Sequence, residues 1–81
     1  MEACQVILEE VMRSAVDAAR QAARQAAAGD RHAAGQVFAY HNMLDVLKEQ
    51  ADLRGVAFDD AELVAFDPDE LIAASAPRQA A

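Results

Sequence analysis

The sequence predicts an all-α protein that consists of a long antiparallel helical hairpin followed by two short C-terminal helices. Two long segments of helix-forming composition, each with an apolar face, are separated by Gly29, and the last third contains a repeated helix-start motif. A chain of 81 residues is long enough for one small domain. We expect a single domain over residues 1–76, helices over about 2–28, 31–54, 60–65 and 68–75, and a frayed tail over 77–81.

The first helix is predicted by residues 2–28, which contain no Gly, Pro or Thr. At about 100° per residue its apolar residues collect on one side, whereas Glu9 lies on the opposite, charged side. From Ala15 onward the apolar side is almost entirely Ala, so a neighbouring helix can approach closely there. Cys4, the only cysteine, falls on the apolar side, and we expect a buried, unreactive thiol.

The second helix begins after Gly29, which can adopt the positive φ that ends a helix, and after Asp30, which can cap the next one. Its apolar residues cover an arc of about 200°, which is more than one neighbouring helix can cover. Either the C-terminal helices or a second chain must cover the remainder, and a second chain would complete a four-helix bundle. We therefore predict a homodimer whose interface contains Tyr40, Met43, Val46, Leu47 and Leu53.

The last third contains an eight-residue repeat, in which Phe-Asp-x-x-Glu-Leu-(Val/Ile)-Ala occurs at residues 58–65 and again at 66–73. In each copy an Asp, Asp59 or Asp67, is placed to cap a helix, with Glu three residues later. Pro68 fits the first helical position of the second copy. Capping explains these carboxylates better than calcium binding, because the spacing lacks the central Gly of a calcium loop.

The composition favours protein partners. Of the 54% hydrophobic residues nearly half are Ala, 21 in all, so the core is thin and self-association would stabilise it. The net charge is -7, and such an acidic chain repels nucleic acid and anionic membranes, so we expect neither as a partner. The early apolar run Val6-Ile7-Leu8 is too short for a signal peptide or a membrane span, and we expect a cytoplasmic location.

No set of residues predicts catalysis, a metal site or a cofactor. His32 and His41 project about 180° apart on one helix, so they cannot share a metal within one chain. His41 and Asp45 lie one turn apart, which a solvated surface pair explains. An alternative is a ligand-binding or enzyme-like site at the subunit interface near His41, Asp45 and Tyr40. A third hypothesis, mimicry of nucleic acid by the acidic surface, rests on charge alone.

Phe38 projects from the polar side of the second helix, among His41, Asn42 and Asp45. An aromatic side chain surrounded by polar groups is typical of a recognition site, although the C-terminal helices could instead cover it. We predict that these four residues, or the acidic C-terminal helices, bind another protein. The chain is then a small acidic interaction module, such as an adaptor, regulator or inhibitor, without catalytic apparatus.

Three arginines, Arg13, Arg20 and Arg24, form a cationic row along the first helix. One interpretation is a solvated row balanced by neighbouring carboxylates on the same helix. In the other, the acidic C-terminal helices, or an acidic partner, dock on the row.

Overall fold

The computed structural model describes residues 2–77 and confirms the all-α hairpin with two short C-terminal helices. Every predicted helix boundary agrees with the structure to within one residue. The helices are α1 (Ala3–Ala27), α2 (Arg31–Leu53), α3 (Ala61–Ala65) and α4 (Asp69–Ala74). Residues 78–81 of the predicted tail lie outside the described residues, and the single domain over residues 1–76 stays a prediction.

The turn of the hairpin forms at the predicted residues. Gly29 has a φ of 106°, and the Oδ1 of Asp30 accepts a hydrogen bond from the backbone N–H of Ala33 at 3.1 Å. Close to this turn the contact between α1 and α2 is made by alanines, and Ala19 and Ala23 are fully buried. Side chains this small let the two helix backbones approach closely, as the composition of α1 predicts.

The C-terminal helices fill one groove of the hairpin. Leu63 of α3, Leu71 of α4 and Phe66 between them are buried in the same cluster as Met12 of α1 and Leu44 of α2. Full burial of each such side chain contributes about 1.5–3 kcal/mol to folding. The segment after α2 is therefore part of the core.

The two copies of the repeat cap their helices with an Asp at different positions of the motif. In the second copy the Oδ1 of Asp67 accepts from the N–H of Asp69 at 2.9 Å, and Pro68 already has helical angles, as predicted. In the first copy the prediction of Asp59 as the cap is wrong by one residue. Asp60 is the cap, and its Oδ1 accepts from the N–H of Glu62 at 2.9 Å.

Two predictions about α1 are wrong. Glu9 is buried and Cys4 is exposed. The carboxylate of Glu9 accepts hydrogen bonds from the backbone N–H groups of Asp59 and Asp60, at 3.4 and 3.0 Å. It therefore satisfies two backbone donors just before α3. Because the C-terminal segment packs on this side of α1, the buried stripe of the helix is rotated toward Glu9 and away from Cys4.

Candidate interaction surface

One side of the hairpin carries the C-terminal helices, and two arginines of the row on α1, Arg13 and Arg20, bind them there. Arg13 donates through Nε to the Oδ2 of Asp60 at 3.1 Å, and Arg20 donates through Nε and Nη2 to the Oε1 of Glu70 at 3.0 and 2.8 Å. The guanidinium of Arg20 also lies 5.4 Å from the ring centroid of Phe66. Docking of the acidic helices therefore holds for Arg13 and Arg20, and Arg13 also pairs with Glu10 of its own helix, as the other interpretation expects.

Helix α2 holds the other edge of the same helices. The Nε2 of His41 lies 2.8 Å from the Oδ1 of Asp69, so His41 pairs with α4 instead of forming the expected pair with Asp45. The Nζ of Lys48 donates to the carbonyl oxygens of Val64 and Phe66 at the C-terminal end of α3. A cation at that end of a helix is favourable for the free carbonyl groups.

Contacts between the hairpin and the C-terminal segment shift four pKa values. The hydrogen bond with Asp60 raises the pKa of Arg13. The hydrogen bond with Asp69 raises the pKa of His41, against an opposing effect of desolvation. The hydrogen bond from Arg13 lowers the pKa of Asp60. Burial acts to raise the pKa of Glu9, but the hydrogen bonds from Asp60, Asp59 and Gln5 outweigh it, and the pKa of Glu9 is lowered.

We expect the free energy of unfolding to decline on both sides of mildly acidic pH. Because Asp60 and Glu9 have lowered pKa values, their contribution is present above the ordinary values of 3.8 and 4.5 and is lost as the pH falls through the lowered ones. The contribution of His41 is present below 6.5 and is lost as the pH rises from there through its raised pKa. Urea unfolding at a series of pH values, with His41→Asn as the comparison, measures both effects. If the free energy of unfolding changes with pH in the same way for both proteins above pH 6.5, the assignment to His41 is contradicted.

The predicted partner-binding residues do not all remain free. Phe38 is 62% exposed, and the C-terminal helices do not cover it. Asn42 and Asp45 are also exposed, whereas His41 is partly buried by its pairing with Asp69. The structure therefore brings an exposed aromatic side chain and a carboxylate to one side of α2.

Replacing Phe38 with Ser should change the free energy of unfolding by no more than about 0.5 kcal/mol, because the exposed ring makes little buried contact that the substitution could remove. Thermal and urea unfolding of the variant measure this. A loss as large as that of a buried aromatic residue, about 3–5 kcal/mol, would mean that Phe38 belongs to the core.

The side of the hairpin opposite the C-terminal helices, here called the open face, exposes large apolar side chains. Val11 lies about 160° around α1 from Arg13, and Met43 lies about 160° around α2 from His41. Val11 is 60% exposed and Met43 is 65% exposed, and Ile7 is exposed to a similar degree. The open face therefore has no cover within the described chain.

The open face carries no Asp, Glu, Lys or Arg at its helical positions. Those of α1 are Cys4, Ile7, Leu8, Val11, Ala15, Ala18 and Gln25, and those of α2 are His32, Gln36, Tyr40, Met43, Leu47 and Gln50. Arg54, which follows α2, lines a shallow hollow together with Leu8 and Leu47. All the charged residues of α1 and α2 project elsewhere.

The predicted dimer-interface residues fall only partly on this face. Tyr40, Met43 and Leu47 lie on it, and Tyr40 and Leu47 also pack against the core. Val46 lies at its border, beside Met43 in a shallow surface hollow. Leu53 is exposed but projects about 120° from Leu47, on the outer side of α2.

Sequence reasoning missed the contribution of α1 to the open face. Cys4, Ile7 and Val11 do lie within the apolar side that the periodicity predicts, but that side was expected to be covered within the chain. The available signal was its width, since the apolar side of α1 is wider than one neighbouring helix can cover.

The alternative ligand site near His41, Asp45 and Tyr40 does not assemble within one chain. Tyr40 packs against the core, about 140° around α2 from Asp45. Within residues 2–77 no three His, Cys, Asp or Glu side chains are grouped as a metal site requires.

None of the helices within residues 2–77 has the length and apolar character needed to cross a membrane. No protein-family model, curated protein or solved structure matches this chain.

Proposed function

We propose that this chain is a small acidic protein–protein interaction module that binds through its open face. The observation that supports the proposal is the exposure of Ile7, Val11 and Met43 on adjacent turns of two neighbouring helices. Large contiguous apolar surfaces are rare on soluble monomers and are typical of interaction sites. The proposal assigns no catalytic role to any residue.

The distribution of charge separates this face from ordinary surface. Single exposed apolar side chains are common and need no explanation. Here, however, charged residues make up 26% of the chain, yet the open face has none at its helical positions. Depletion of charge around exposed apolar side chains is the composition of the buried centre of protein interfaces.

A capture experiment with matched variants tests the proposal. The bait is the full chain, compared with Val11→Asp on the open face and Val64→Asp on α3, where the replaced valine is 56% exposed. The expected result is at least one polypeptide, either a second copy or another protein, retained by the wild type and by Val64→Asp but lost by Val11→Asp. Retention of every bound polypeptide to the same extent by all three baits would contradict the proposal.

A second, separate surface around Phe38 is favoured by its charge. Asp45, two turns along the same side of α2, and Asp69 of α4, which pairs with His41, are exposed carboxylates, so this side of α2 suits a partner with basic side chains. In the same capture experiment we expect Phe38→Asp to lose a different polypeptide from the one that Val11→Asp loses. If Phe38→Asp retains everything that the wild type retains, this second surface has no role.

A further inference from the structure

We infer that the partner of the open face is a second copy of this chain, and that the pairing forms a four-helix bundle from α1 and α2 of both copies. This inference rests on the proposed function and names the occupant of the same face. The alternative occupant is an apolar helix of a different protein.

The charge of the chain favours a second copy on this face. At a net charge of -7, two copies that meet through most other surfaces bring like charges together. The open face is the surface on which this repulsion is least, because its helical positions carry no acidic residue. A strongly charged partner finds no opposite charges on the open face, whereas a second open face is equally apolar. Two identical patches that meet across a two-fold axis are the commonest arrangement of homodimers.

The shape of the hairpin also suits this pairing. The C-terminal helices occupy one groove between α1 and α2, and each copy therefore presents a single uncovered groove. Two hairpins that meet face to face cover both grooves and place four long helices around one core. Each hairpin is narrow, with overall extents of 48 × 19 × 19 Å, so nearly its whole length is available for such a contact.

The apolar side chains lie at one level of the hairpin. Val11 is about 12 Å from the start of α1, and Met43 is about 15 Å from the end of α2, at 1.5 Å per residue. Because α1 and α2 are antiparallel, both residues lie at nearly the same distance from the open end. A two-fold axis at this level brings Val11 and Met43 of each copy to the centre of the contact. Nearer the turn the face consists of alanine and glutamines, such as Ala18, Gln25 and Gln36, which allow close approach without adding charge.

Sedimentation equilibrium of the purified full chain tests the inference. We expect the wild type to sediment as a dimer of the 8.7 kDa chain at about 100 µM. Val11→Asp and Met43→Asp each place a carboxylate at the centre of the contact and should raise the dimer dissociation constant at least about 100-fold. Val64→Asp, the matched control, should leave the dissociation constant within about threefold of the wild type. Raising the salt to about 1 M should not dissociate the dimer, because it screens repulsion between the acidic chains.

A wild type that sediments at 8.7 kDa at about 100 µM overturns the inference, and so does a Val64→Asp variant that dissociates as readily as Val11→Asp. Far-UV circular dichroism of each variant shows whether it has kept its helices. Met43→Asp keeps the test valid if Val11→Asp does not fold. A monomeric wild type that still captures another polypeptide through the open face overturns the inference but leaves the proposed function standing. A monomeric wild type without such capture removes both.

Discussion

Replacing Leu71 with Ala should lower the free energy of unfolding by about 2–5 kcal/mol. Leu71 is fully buried in α4, within the cluster that contains Met12 and Leu44, so its removal leaves a cavity between the C-terminal helix and the hairpin. A chain of this length has a total stability of only about 4–12 kcal/mol. The loss is therefore a large fraction of the total stability, and the variant should melt at a clearly lower temperature than the wild type.

The next residue along α4 provides the control for Leu71. Ile72 is 38% exposed, and Ile72→Ala should cost less than about 1 kcal/mol. Urea unfolding of both variants measures the difference. Equal losses for the two would mean that α4 is attached loosely to the surface and does not complete the core.

Replacing Ala23 with Leu should lower the free energy of unfolding by about 1–3 kcal/mol or more. Ala23 is fully buried where α1 and α2 approach closely near the turn, and the larger side chain forces the helices apart. Ala73→Leu on the exposed side of α4 is the control, with an expected change within about 0.5 kcal/mol. A fully stable Ala23→Leu protein would show that the contact between the helices has room for a larger side chain.

The helices themselves could be predicted from the sequence because their signals are local. Gly29 and Asp30 end one helix and begin the next through their own backbone and side-chain preferences. The Asp-Pro pair of the repeat likewise determines the start of α4. Such signals depend on a few neighbouring residues and hold whatever the rest of the chain does.

The sector of α1 that is buried could not be predicted in the same way. Periodicity shows that a helix has an apolar side, but the groove that the C-terminal helices occupy decides which edge of that side is covered. That choice depends on Glu9, whose carboxylate accepts hydrogen bonds from two backbone N–H groups about fifty residues away in the chain. For the same reason Cys4 was expected in the core, although it lies on the uncovered edge.

The candidate site could be predicted in part. The sequence indicated that α2 has more apolar surface than one helix can cover, and Met43 and Val46 are exposed. It left open whether Phe38 is covered, because the path of α4 across the hairpin depends on the contacts of Arg20 and His41 with its carboxylates. The absence of charge from the open face became visible only once both helices were placed side by side.

The melting temperature as a function of protein concentration tests the central claim, that the open face pairs with a second copy, most directly. For a chain that folds together with its partner, the melting temperature rises with concentration by mass action. We expect a clear rise between about 5 and 500 µM for the wild type and for Val64→Asp, and no rise for Val11→Asp. A wild-type melting temperature that stays constant over this range, equal to that of Val11→Asp, would contradict the account.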